Sequence, residues 1–174
     1  MVEILTSLYG RRFGLASDGS LVLNKRDGTQ EVIGARASAT ITSAQLLALN
    51  ATPQTVIAAP GAGLAIIPRK VAIHKPAGTA YSGIATGEDL VLKYTNGSGA
   101  QCSSVIETTG FLDQTTAQTR VAGMPGSVTT TAGDYAPVAN AAVVLHLLVG
   151  EITTGDSPLY VRLWYDIIET VFTS

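Results

Sequence analysis

Residues 159–168 alternate between two sets of side chains, and that alternation constrains the fold more than any other stretch of the chain. Leu159, Val161, Leu163, Tyr165 and Ile167 fall on one face of an extended strand, and Tyr160, Arg162, Trp164, Asp166 and Ile168 on the other. The first set predicts a core face. The second carries Tyr, Arg and Trp, which are enriched where protein surfaces bind other proteins. A further strand-like run, residues 143–149, precedes it across the turn-rich stretch 150–158, which holds Gly150, Gly155 and Pro158.

Short strand patterns recur along the rest of the chain. Leu90, Leu92 and Tyr94 share one face of a segment that ends at the turn signal Asn96-Gly97, and residues 102–108 read as its hairpin partner. Residues 54–59 form another run. Residues 64–67 and 71–73 form the next, interrupted by Pro68, which donates no ladder hydrogen bond and marks an edge or a bulge. Residues 127–131 add one more. Helix is confined to residues 43–49, capped by Thr42 or Ser43, and to a helical turn in residues 110–119 near Asp113. This spacing predicts an all-β fold, an antiparallel β-sandwich of jelly-roll type with one or two short helices.

The first residues differ from the rest. Residues 11–24 read as two strands around an Asp18-Gly19 turn, Asp27-Gly28 supplies a second turn, and residues 31–33 a third strand. So small a meander is marginal alone and must pack on a neighbour. The chain therefore divides into an N-terminal β arm, residues 1–35, and a sandwich domain, residues 36–174, with the boundary in the small-residue run 34–38. Arg11, Arg12, Phe13, Lys25 and Arg26 make the arm a candidate interface. Tyr160, Arg162 and Trp164 make the outward strand face another.

Composition bears on association. Only 14% of the 174 residues are charged while 46% are hydrophobic, against about 25% charged in an ordinary soluble domain. Such a surface favours a stable oligomer or a large assembly. The net charge of −2 and the scattered basic pairs argue against a nucleic-acid footprint, and no nucleic-acid partner is expected. No apolar run reaches the ~20 residues that span a bilayer, and no export signal is evident, so no membrane partner is expected. Cys102 is the single cysteine, which excludes an intrachain disulfide and a thiolate metal cluster.

Catalytic constellations are missing. His74 and His146 each sit in a β-like run without a third ligand at metal spacing. No Gly-x-Ser-x-Gly elbow occurs. Gly61-Ala62-Gly63 lacks the Gly-Lys-Ser/Thr ending of a phosphate loop and reads as a turn. Glu88, Asp89 and Asp113 read as solvated turn carboxylates, and Asp18 and Asp27 lack the alternating oxygen ligands of a calcium loop. The expectation is a non-enzyme with no cofactor and no metal.

Residues 41–63, then Gly110-Phe-Leu-Asp-Gln114, then Leu159-Tyr-Val-Arg-Leu-Trp-Tyr165, resemble small structural proteins of tailed-phage morphogenesis clusters, among them capsid cement, or decoration, proteins. Residues 5–15 are similar to the N-terminal extensions of such proteins. The resemblance implies a β-sandwich that binds the exterior of the virion and clamps neighbouring copies of the major capsid protein, commonly as a trimer, after synthesis in the bacterial host cytoplasm. The same features suit a tail or head-fibre component, or a carbohydrate-binding jelly roll with its ligand stacked on Trp164, Tyr160 or Tyr81.

Overall fold

The computed structural model describes residues 3–6, 12–15, 21–24, 30–84, 87–123 and 136–171. Four short strands open the chain: β1 (Glu3–Thr6), β2 (Arg12–Leu15), β3 (Leu21–Asn24) and β4 (Gln30–Ile33). Each pairs antiparallel with the next, as a meander of alternating short strands should. Both Asp-Gly turns lie outside the described residues, as do Arg11, Lys25 and Arg26.

The remaining elements are β5 (Ala35–Ile41), α1 (Ser43–Leu47), β6 (Gln54–Ile57), β7 (Leu64–Lys75), β8 (Leu90–Tyr94), β9 (Gln118–Gly123), β10 (Val143–Leu147) and β11 (Leu159–Glu169). They form an all-β antiparallel sandwich with a three-stranded layer, β6-β10-β8, and a four-stranded layer, β5-β11-β7-β9. Although β10 and β11 are consecutive, they do not pair. Each lies between two neighbours in a different sheet, so the turn-rich residues 150–158 cross from one layer to the other.

Period two explains the core. Leu159, Val161 and Leu163 of β11 join Val71 and Ile73 of β7, Leu90, Leu92 and Tyr94 of β8, and Val143, Leu145 and Leu147 of β10 in one buried cluster. Burying each such side chain contributes about 1.5–3 kcal/mol relative to exposure. Tyr94 also ties the layers together, because its hydroxyl donates to the Ile66 carbonyl on β7 at 2.5 Å. A buried Tyr without such a partner would lose much of its packing gain.

The expected break at Pro68 is a bulge inside one continuous strand. Lys70 pairs with Trp164 and Pro68 with Tyr165, which leaves Arg69 without an opposite residue on β11. On the other side the described β9 pairs run from Lys75 to Lys70, so Pro68 falls outside them. The bulge sends Arg69 toward Asp166, and Arg69 Nη2 lies 2.5 Å from Asp166 Oδ2.

The short helix follows its sequence signals. The Thr42 hydroxyl accepts from the Gln45 backbone N–H, and the Gln45 side chain accepts from the Thr42 N–H, closing a capping box. Leu46 and Leu49 reach the core. Regular helix ends at Leu47, two residues before the sequence expectation, as the chain turns toward β6.

Other expectations are corrected. Within the small-residue run 34–38, β5 already begins at Ala35 and pairs with β11 from Tyr165 to Leu159. Residues 102–108 do not form a regular strand: they touch β8 through the isolated bridge Leu90–Ile106, with a second bridge, Lys93–Gln101, just before the run. The Ser103 hydroxyl accepts from Leu92 N–H, taking the place of a backbone carbonyl and breaking the ladder. The helical turn near Asp113 starts earlier, where Thr108 O accepts from Phe111 and Leu112. Regular strand β9 occupies the end of the stretch read as part of that turn. The strand expected at residues 127–131 lies outside the described residues.

Candidate functional site

The outer face of the four-stranded layer is set by register. Thr40, Tyr160, His74 and Thr119 form one row across β5, β11, β7 and β9; Ser38, Arg162, Ala72 and Val121 form the next; Arg36, Trp164, Lys70 and Gly123 form the third. Exposure matches the alternation. Tyr160 is 48% and Val121 63% exposed, Arg36, Lys70 and Arg162 are exposed, and Trp164 is half-buried. The sequence assignment of β11 faces thus holds for Tyr160, Arg162 and Trp164. Ala72, His74, Thr119, Tyr160, Arg162 and Trp164 line a shallow groove of about 420 Å³ on this face.

The aromatic rings in the groove already have neighbours. His74 and Tyr160 stand side by side with ring centroids 6.3 Å apart and an interplanar angle of 17°. His74 Nδ1 is 2.9 Å from the Thr119 hydroxyl, which fixes the ring on its strand. Lys70 Nζ sits 4.3 Å from the centre of the Trp164 ring, an attraction worth about 0.5–1 kcal/mol at an exposed site. Arg36 and Arg162 have no carboxylate or hydrogen-bond partner among the described residues. The three rows contain Arg36, Lys70, Arg162 and His74 and no acidic residue, although the whole chain carries a net charge of −2.

Groups with chemical potential elsewhere are occupied by structure. Lys75 is fully buried. Its ammonium donates to the Gln114 carbonyl at 2.7 Å, while burial lowers its pKa against the opposing influence of Asp156 and Asp113. Asp156 accepts from both the N–H and the hydroxyl of Thr79, and these bonds hold its carboxyl below the usual range. The Asp113 carboxylate accepts from the Gln114 side chain and is likewise lowered. Burial pushes the Cys102 thiol up to about 12. Among the described residues no group of three or more His, Cys, Asp or Glu side chains is placed to hold a metal ion.

His74 and His146 lie on different sheets, in β7 and β10. His146 Nε2 donates to the Asn50 carbonyl at 3.2 Å, and its buried Nδ1 has no hydrogen-bond partner among the described residues. Desolvation and the nearby Lys93 ammonium lower its pKa.

Tyr81 is not a stacking platform. It is 2% exposed, its hydroxyl donates to the Ser157 carbonyl, and a Cβ at Gly155 (φ +94°) would run into its ring. Its phenol is buried in the loops that join the layers, and burial with the nearby Asp156 raises its pKa to about 12. Of the arm residues singled out from sequence, Arg12 and Phe13 lie in β2.

Sequence reasoning missed Arg36 and Lys70. Only strand register places them on either side of Trp164, about 10 Å apart at the usual strand spacing. Comparison with protein-family models, curated proteins and solved structures found no match.

Proposed function

We propose that the chain is a non-enzymatic structural protein that coats the exterior of a tailed-phage capsid and stabilises the shell by clamping neighbouring copies of the major capsid protein, as a homotrimer. The observation that carries this reading is the three-row outer face of β5-β11-β7-β9. It presents Tyr160, Arg162 and Trp164 from an interior strand, so the docking side chains are held by a ladder on both sides. Little conformational entropy is then lost when a partner is bound. The phage assignment itself rests on the resemblance of residues 41–63, 110–114 and 159–165.

A tail or head-fibre role would use the same face. A carbohydrate-binding role is favoured by the groove but opposed by the occupancy of its rings: Lys70 lies over Trp164 and His74 stands beside Tyr160. Reconstruction of purified particles separates these readings. Evenly spaced copies over the shell support the cement role. Density confined to the tail or a fibre, or absence from particles, rejects it.

A further inference from the structure

We infer that the outer face of β5-β11-β7-β9 recognises carboxylates on an extended acidic segment of a partner protein. The inference rests on the docking role proposed for this face and supplies the chemistry of its partner. Arg162 lies at the centre of the middle row, and Arg36 and Lys70 flank Trp164 in the next. The nearest described carboxylate along β11, Asp166, is taken by Arg69. Three rows that bear three cations and, among the described residues, no anion, on a chain of net charge −2, attract negative charge locally. Arg162 offers a planar fork of donors that matches a carboxylate in two parallel bonds.

Three features select the occupant. Four strands about 4.8 Å apart and five residues of about 3.3 Å each give the face roughly 250 Å². That is about a third of what one side of a stable globular interface buries. It suits a segment laid across the sheet. A twofold contact with a second copy would set the same three cations against themselves, so self-association through this face is disfavoured. Single-stranded nucleic acids and glycans need open ring faces for stacking as well as any charge contact, and here Lys70 and His74 already crowd the Trp164 and Tyr160 rings.

Trp164 is the chain's one tryptophan, so its fluorescence reports this face in the full-length protein. The probes are a ten-residue oligoglutamate peptide with a central Tyr, its Gln counterpart, a heparin decasaccharide and an oligothymidylate of equal length. The Glu peptide is expected to give a saturable change that weakens as salt rises. Arg162→Gln and Lys70→Gln should each weaken its binding about tenfold, the loss of one charge-assisted contact. Equal titration by the Gln peptide, or unchanged affinity in Arg162→Gln with its native circular dichroism, overturns the inference. Tighter binding of heparin or oligothymidylate, lost in the same variants, assigns the face to another polyanion and also overturns it.

Occupancy on phage particles separates this inference from the reading beneath it. If the wild type coats particles and the Arg162→Gln/Lys70→Gln double variant does not, both stand. If the double variant coats fully while Trp164→Ala fails, the face docks without carboxylates and only the inference falls. If the wild type does not bind particles, the capsid reading falls and the peptide titration alone decides the inference.

Discussion

Lys70 and Trp164 are direct partners across the β7–β11 ladder, and the Lys70 ammonium lies 4.3 Å from the centre of the Trp164 ring. The pair is on the outer face, one residue before the bulge that carries Arg69. Trp164 is therefore held by a neighbour on its own sheet without being part of the core cluster.

Trp164→Ala should weaken partner binding more than it weakens the fold. Losing the ring and its cation contact from a half-buried site is expected to cost about 1 kcal/mol in urea unfolding. An interface aromatic of this kind contributes ~2–4 kcal/mol to binding. A variant that no longer folds would place the ring in the core and reverse the assignment of strand faces.

Each of the two engaged tyrosine hydroxyls should leave its mark on stability. Tyr94→Phe leaves the Ile66 carbonyl without its donor and should cost about 1–2 kcal/mol at neutral pH. Tyr81 has a folded pKa raised to about 12 from 10.0, so its contribution is complete below pH 10 and is lost as pH rises from 10 toward 12. Tyr81→Phe should lower neutral-pH stability and flatten that alkaline limb of denaturant-unfolding curves. An unchanged alkaline limb would show that the phenol ionises freely in the folded protein.

His146 should act at the acidic end. Its folded pKa lies below the ordinary 6.5 because burial and Lys93 disfavour the imidazolium. The unfolded chain then takes up the proton first. Stability is fully present above about pH 6.5 and declines as pH falls through the lowered folded value. His146→Gln removes this titration, so its stability should vary less than wild type between pH 7 and pH 5.

Cys102 should report global opening. It is 0% exposed, and burial raises its thiol to about 12, so almost no thiolate exists at neutral pH. Labelling by an aromatic disulfide reagent should be slow in the native protein and follow the unfolding rate measured by Trp164 fluorescence. Fast labelling without loss of structure would reveal local opening of the segment beside β8.

How much of this was legible depended on whether one residue's neighbours in sequence carried the pattern. β8 and β11 were readable because Leu90, Leu92 and Tyr94, and Leu159, Val161 and Leu163, alternate without interruption. β9 was not, since Ala122 is its one buried hydrophobic residue and its other side chains are Gln, Thr, Arg, Val and Gly. The segment after Asn96-Gly97 misled because Ser103 supplies a hydroxyl where a strand would supply a carbonyl. Tyr160, Arg162 and Trp164 were visible as one face, but the cations around them were not. Arg36 and Lys70 join that face only through pairing across three strands, which no local period encodes.

The N-terminal meander provides the last test. In their ladders β1 to β4 pair only among themselves, whereas β5 enters the sandwich at Ala35. Gly34 between them has φ +66°, a backbone conformation that a side chain would strain, and its N–H donates to Asp166 at 3.4 Å. Removing residues 1–33 therefore leaves every strand of both sandwich layers in the chain, and a cooperative melting transition should remain. The deletion also removes Arg11, Arg12, Lys25 and Arg26, four of the eleven basic side chains. If the arm anchors the protein to an acidic groove on a neighbouring capsid subunit, the truncated protein should keep its oligomeric state in light scattering but fail to coat particles that the full-length protein coats. Because exposed charges steer association, the full-length protein should also coat more slowly as salt rises. Undiminished occupancy would remove the arm as anchor, and failure to fold would make β1 to β4 an integral part of the sandwich.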